Sequence, residues 1–299
     1  MIHATLLPKV GFVGIGKMGL PMVAHLRAAG YEVMAYDLLP ANLEAARLAG
    51  CHAAQSLGGC ASQADVLFSS MPHDAALEAI SGADGVFAQA RAGMIYVDTS
   101  TVSPAVSATV AGRAAAAGVP YVRATVSGNP VTAKAGVLTV MASGPRAAYD
   151  SVKPLLDTFG KTHFYLGAGE EARVIKLVIN LMVAGTAGMM AEALVLGEKG
   201  GLDWKQMLEI MGKSAVGSPL VNYKLPPLLE RDYTSTFSGT QMIKDLDLIL
   251  GQGAATRTPL PLTALVRQHY HAIAAQGDGE LDYISTVRLM ERMAGLKPP

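Results

Sequence analysis

From Lys9 to about Leu166, short runs rich in Val, Ile, Phe and Tyr alternate with Ala-rich segments whose apolar positions recur with a helical period. Strand side chains alternate at a period of two and helix side chains at 3.6, so this alternation reads as βαβ units around a mainly parallel sheet. Strands are expected at Val10–Val13, Glu32–Tyr36, Val66–Ser69, Met94–Val97 and Val119–Val122, with Val137–Met141 and His163–Leu166 extending the sheet. Helices are expected at Pro21–Ala29, Ala41–Ala49, Ala75–Ile80 and Pro104–Ala117. The last is marked by Ser103 as cap and Pro104 at the first helical position. After Gly169 the strand signals stop, and helical segments follow one another between Gly and Pro breakers. The expected organisation is an α/β domain over residues 1–167 and an all-α domain over 168–299. A long helix from about Glu170 to Lys199 joins them.

Composition narrows the class. Of the 299 residues, 51% are hydrophobic and 16% charged, enough apolar surface for sizeable cores and too much for disorder. Lys plus Arg equals Asp plus Glu at 24 each, so no basic face points to nucleic acid. Cys51 and Cys60 lie outside any CxxC or zinc spacing and read as free thiols of a reducing, cytoplasmic compartment. Met1 to Pro8 lacks the charged region and apolar length of a signal peptide. The most membrane-like run, Leu177 to Ala191, has 15 residues, against the ~20 that a span requires, and is read as a buried helix. Gly185, Ala187 and Gly188 on that helix suit close helix packing or a dimer interface. The seven histidines form no HExxH, so no metal site is expected.

The first candidate chemistry lies directly after the first strand. Gly14-Ile15-Gly16-Lys17-Met18-Gly19 is a GxGxxG loop between a strand and a helix: Gly14 for the tight turn, Gly16 for backbone approach to a pyrophosphate, Gly19 for close packing. The helix N-terminus adds an attraction for anions. Asp37 ends the second strand, 18 residues after Gly19. It reads either as the acceptor of ribose hydroxyl protons or as a cap of the helix that Pro40 opens. As a ribose ligand it favours NAD over NADP, because a carboxylate repels a 2′-phosphate. The α/β half is therefore expected to be a Rossmann domain. A second candidate is Lys176, which shares a helix face with Asn180 at i and i+4 amid Leu177, Val178, Ile179, Leu181, Met182 and Val183. Such a lysine either snorkels from a helix edge or is tuned by burial for proton transfer.

Several segments together resemble the β-hydroxyacid dehydrogenases: VGFVGIGKMGLPM at the start, DTSTVSP at 98–104, VSGN at 126–129, AGVLTVM at 135–141, KLVIN at 176–180 and KDLDL at 244–248. The resemblance spans nearly the whole chain in order. It implies NAD-dependent oxidation of a small β-hydroxy carboxylate, of the 3-hydroxyisobutyrate, tartronate semialdehyde or 2-(hydroxymethyl)glutarate type. By the same resemblance, Lys176 exchanges the substrate hydroxyl proton and Asn180 positions that hydroxyl. Ser127 and Gly128 hold the carboxylate, and Phe237 lines the pocket. Thr101, Met71, Pro72 and Lys244 lie along the cofactor, with Lys17 and Met18 in the phosphate loop. The resemblance and the long apolar helix together imply a homodimer or homotetramer. The chain departs from the family pattern at Arg123, Thr125 and Asn129, and at Glu171-Ala172-Arg173 just before the lysine. Asn129 stands where a second glycine is usual, and either selects a polar substituent on the substrate or points to solvent and alters only the turn. An imine reductase-like enzyme is disfavoured by Lys176, and a non-catalytic protein that kept the cofactor fold by Lys176, Asn180 and Ser127 together.

Overall fold

The computed structural model describes residues 7–296, so the reading of Met1 to Pro8 falls largely outside the described residues. The chain divides into two compact units between Lys176 and Leu177. The first unit contains β1 (Val10–Val13), α1 (Gly19–Ala28), β2 (Val33–Tyr36), α2 (Pro40–Leu48), β3 (His52–Ala53), α3 (Leu57–Ser62), β4 (Val66–Ser69) and α4 (Asp74–Ile80). It continues with β5 (Ile95–Asp98), α5 (Pro104–Ala116), β6 (Tyr121–Ser127), α6 (Pro130–Lys134), β7 (Leu138–Ser143), α7 (Arg146–Leu156) and β8 (Gly160–Tyr165).

Eight strands form one sheet in the order β3-β2-β1-β4-β5-β6-β7-β8, parallel throughout except where β7 runs against β6. All seven expected strands are present within a few residues. The two-residue β3 and the short α3 and α6 were not expected, being too brief to show a period; α7 was not expected either. Two apolar layers cover the sheet: one around Phe12, Met22, Leu26 and Phe68, where Phe12 and Phe68 stack at 5.6 Å, and one around Leu67, Leu77, Tyr96 and Val110. Residues i and i+1 of a strand face opposite layers, as Leu67 and Phe68 do.

Strand order reverses at β1, with β2 on one side and β4 on the other. In open parallel sheets, the crevice beyond the carboxyl ends of the strands at such a switch point is where ligands bind. Register aligns those ends: Val13 pairs with Tyr36 and Ser69, Ser69 with Asp98, and Asp98 with Arg123. The loops carrying Gly14, Asp37, Met71 and Thr101 therefore leave the sheet at one level.

The helix α8 (Glu171–Lys199) carries the unit boundary near its start. The sequence suggested a division at 167/168, before this helix. With 29 residues, α8 is the one helix among the described residues long and apolar enough to cross a membrane by length and composition, although its most apolar run alone is shorter. The second unit adds α9 (Trp204–Lys213), α10 (Pro219–Leu229), α11 (Gly239–Thr256), α12 (Pro261–Ala275) and α13 (Thr286–Met293) around a core of Leu194, Leu228, Met242, Leu246, Ile249 and Tyr270. Ala187 and Gly188 of α8 are buried, and a Cβ on Gly188 would stand 3.4 Å from Val266. Asp203 caps α9, and Trp204 donates from Nε1 to the Leu228 carbonyl at 3.0 Å, with Arg231 stacked 3.6 Å from its ring. Trp204 is thus a structural residue.

Candidate active site

The loop after β1 has the form of an anion cradle. Gly14 sits at φ +91°, where L side chains rarely go, and a Cβ there would meet the Ser70 carbonyl oxygen at 2.4 Å. A Cβ on Gly16 would meet nothing within 4 Å, so the backbone at Gly16 faces open space. Lys17 is exposed beside it, Met18 packs on the core, and Gly19 is the buried first residue of α1. No side chain caps α1, and its first turn carries no acid. Helix N-terminal N–H groups and the helix dipole are thereby kept for an external anion. Asp37 is tied to the loop, accepting the Ile15 N–H at 2.7 Å on one oxygen and the Leu39 N–H at 2.8 Å on the other. These residues fit a dinucleotide, with the loop for its pyrophosphate and the half-buried Asp37 carboxylate for ribose hydroxyls.

Next along the sheet edge, Met71 donates its N–H to Ser100 Oγ at 2.7 Å, joining the loop after β4 to the loop after β5. Pro72 is exposed and Thr101 half-buried on these two loops. Ser127 ends β6, half-buried, and Gly128 follows at φ +144°. Asn129 then caps α6: its Oδ1 accepts the N–H groups of Val131 at 2.9 Å and Thr132 at 3.0 Å, while Thr132 Oγ1 accepts the Asn129 N–H. The Asn129 amide oxygen is thus engaged in the helix cap.

The other departures from the family pattern interlock within this unit. Arg123 is buried, paired with Glu170, and lies over the Tyr121 ring at 4.4 Å. Thr125 donates to the Ala172 carbonyl at 2.9 Å. Arg173 is fully enclosed and pairs with Asp98. Lys176 stands half-buried one turn further along α8.

In the helical unit, buried Asn180 donates from Nδ2 to Asp245 Oδ2 at 2.5 Å, and Lys244 Nζ lies 2.6 Å from Asp245 Oδ1. Asn180 and Lys244 are therefore brought together by one buried carboxylate. Asp245 is not singled out by the sequence reading, yet the helix stripe of Met242, Asp245, Leu246 and Ile249 is all buried. A charge on that apolar stripe was the available signal. Phe237 precedes the Ser238 cap of α11 and meets Tyr283 edge-on at 6.1 Å. The two cysteines are buried and free; burial pushes the Cys51 thiol up to about 11 and Cys60 up to about 12, so neither is a nucleophile at neutral pH.

A phosphate loop at a topological switch point, followed by an acid on the next strand, defines a dinucleotide-dependent oxidoreductase fold. Residues 9–167 match the NAD-binding domain family of 6-phosphogluconate dehydrogenase, and residues 167–290 match the NAD-binding domain family of NADP-dependent 3-hydroxyisobutyrate dehydrogenase. The chain is 35% identical over 290 residues to 2-(hydroxymethyl)glutarate dehydrogenase of Eubacterium barkeri, covering 96% of each protein. It superposes on Mycobacterium tuberculosis 3-hydroxyisobutyrate dehydrogenase with L-serine at a TM-score of 0.86, with 27% identity, covering 95% of this chain and 99% of that one. An imine reductase from a Pseudomonas species is more distant, sharing the fold at a TM-score of 0.62 and 21% identity over 95% of this chain and 100% of that one. The chain belongs to the β-hydroxyacid dehydrogenase family and is an NAD-dependent dehydrogenase of small molecules.

Proposed function

We propose that this dehydrogenase acts on a small β-hydroxy carboxylate, with Lys176 as the general acid/base. The observation that carries this reading is the arrangement on α8. Lys176 and Asn180 are one turn apart, and the amide of Asn180 is held by Asp245 through its nitrogen. That bond fixes Oδ1 as the acceptor end of the amide, suited to a substrate hydroxyl. Lys176 is placed to take the proton from the substrate hydroxyl while hydride leaves the carbon that bears this hydroxyl for the nicotinamide, and to return a proton in the reverse direction. NAD would be held by Gly14, Gly16, Lys17, Met18, Gly19, Asp37, Met71, Pro72 and Thr101, and would supply the hydride acceptor. Ser127 Oγ and the Gly128 N–H bind the carboxylate as uncharged donors, which spares Lys176 from ion pairing with the substrate. Asn129 Nδ2 offers a further donor two residues from Ser127. Asp37 selects NAD over NADP.

Absorbance at 340 nm with NAD and a panel of 2-(hydroxymethyl)glutarate, 3-hydroxyisobutyrate and L-serine tests the activity. Turnover of at least one is expected, at a kcat/KM well above that with NADP. Lys176→Ala should lose at least ~10²-fold in kcat with NAD binding retained. Near-normal turnover in that variant would remove Lys176 from the reaction.

The exposed apolar residues of α8, Val178, Met182, Met189 and Leu196, support a homodimer or homotetramer. A monomeric mass by light scattering at micromolar concentration would count against it. The unpaired thiols support a cytoplasmic location.

A further inference from the structure

Among the described residues Arg173 is the largest fully enclosed side chain, and its guanidinium makes four hydrogen bonds. Nη1 donates to the Ser100 carbonyl at 2.5 Å, Nη2 to Tyr121 Oη at 2.7 Å and to Asp98 Oδ2, and Nε to Ser107 Oγ at 3.1 Å. Asp98 Oδ1 in turn accepts from Ser69 Oγ and Ser100 Oγ, each at 2.5 Å, while Ser100 Oγ accepts the Met71 N–H. One continuous set of bonds thus runs from the loop after β4, through the loop after β5, to the first turn of α8. Burial works against the Arg173 charge, but Tyr121 and Asp98 outweigh it and hold the guanidinium protonated. Replacing a buried ion pair with apolar side chains of similar volume is often neutral or stabilising, so stability alone gives little reason for this one. Its geometry supplies another reason, since a planar fork fixes direction in a way that apolar packing or a lysine does not.

We propose that Arg173 is a positioning residue that couples the Met71 and Ser100–Thr101 loops to the turn of α8 bearing Lys176. This rests on the reading of Lys176 as the acid/base. The residues at i and i+3 are neighbours on a helix surface, so a rotation of the first turn that followed loss of the fork would carry Lys176 with it. A displacement of about 1 Å of a reacting group can cost on the order of 10²-fold in rate.

The test compares Arg173→Lys and Lys176→Ala with the wild type, all full-length. A lysine keeps the charge beside Asp98, but its single nitrogen cannot reach the spread of acceptors that the fork spans. Arg173→Lys is expected to fold and to bind NAD within a few-fold of wild type by calorimetry. Its kcat should fall ~10–100-fold, with a smaller change in KM for the hydroxy acid and a displaced pH profile of kcat. Hydrogen exchange gives a readout independent of turnover. NAD should slow exchange at 99–103 and at 171–177 in the wild type, but only at 99–103 in Arg173→Lys. An unchanged kcat in folded Arg173→Lys, or protection of both segments in it, overturns the proposal. Should Arg173→Lys not fold, Tyr121→Phe removes one acceptor and keeps the ring; a lowered kcat at unchanged NAD affinity supports the proposal and an unchanged kcat overturns it. An inactive Lys176→Ala beside a fully active Arg173→Lys defeats the positioning role alone, whereas a fully active Lys176→Ala defeats the acid/base reading and the proposal with it.

Discussion

Each unit buries an ion pair, and the two are built differently. In the α/β unit, Arg173 and Asp98 are both wholly enclosed, and the fork reaches a carboxylate, a main-chain carbonyl, a phenol and a serine. In the helical unit, Lys224 Nζ lies 2.6 Å from Asp282 Oδ1 and over the rings of Tyr223 and Tyr283, at 4.6 and 4.4 Å from their centroids. The other Asp282 oxygen takes the N–H and hydroxyl of Thr236, next to Phe237. A point charge among aromatic rings, free to take its bonds in many directions, ties α10 to Thr236 and Asp282. A planar fork holds several segments in fixed relation, here the end of β5, the loop after it, α5 and the start of β6. The first arrangement should therefore be felt mainly in stability and the second mainly in rate.

The largest effect expected from breaking this contrast is at Lys224. Lys224→Met leaves the Asp282 carboxylate buried without its cation and should cost ~3–5 kcal/mol, read as a lower denaturation midpoint. Lys224→Met with Asp282→Asn should recover much of that loss, because the isolated charge is gone. Turnover per folded molecule should stay within about two-fold of wild type, against the larger loss expected for Arg173→Lys. A large fall in kcat without a change in midpoint would erase the distinction between the two pairs.

A smaller effect sharpens the role of charge at the start of α8. Thr125 also ties this turn to the sheet, through a neutral bond to the Ala172 carbonyl at 2.9 Å. Thr125→Val keeps the shape and removes the donor, at an expected cost of about 1 kcal/mol. If the charged fork is what orients the helix, kcat in Thr125→Val should fall much less than in Arg173→Lys. Equal losses would assign the orientation to the anchored helix start as a whole.

The parts of this structure legible in the sequence are those fixed locally. Strands 10–13 and 66–69, the Ser103–Pro104 helix start and the glycine loop each rest on neighbours within a few residues. The buried partners do not: Arg173 meets Asp98 across 75 positions, Asn180 meets Asp245 across 65, and Lys224 meets Asp282 across 58. Nothing in the pattern around Arg173 predicts a carboxylate at the far end of β5. One hint lay in the departures themselves, since Thr125 and Ala172 lie in the two divergent stretches and are hydrogen-bonded in the fold. Asp245 was legible in principle, as a charge on a helix stripe otherwise apolar. The helix α3, Leu57-Gly-Gly-Cys-Ala-Ser, was hidden by its composition, for two glycines in six residues argue against a helix that tertiary packing nevertheless holds.

The smallest stability effect is expected at Asn129, where structure and substrate recognition can be separated. Its Oδ1 caps α6, so Asn129→Asp keeps the cap, and Asn129→Gly should cost only a few tenths of a kcal/mol, because glycine is itself tolerated at this position. Neither should move the denaturation midpoint much. Their effects on substrate should differ, because Asp replaces the Nδ2 donor with a negative charge two residues from Ser127, while Gly removes the side chain. If Nδ2 serves the substrate, Asn129→Asp should raise KM for carboxylate substrates severalfold, most at low ionic strength where charge repulsion is least screened. Asn129→Gly should then shift preference toward 3-hydroxyisobutyrate and away from 2-(hydroxymethyl)glutarate, which carries an additional carboxylate for the donor to meet. Identical KM values across wild type and both variants would confine Asn129 to the helix cap and remove it from the choice of substrate.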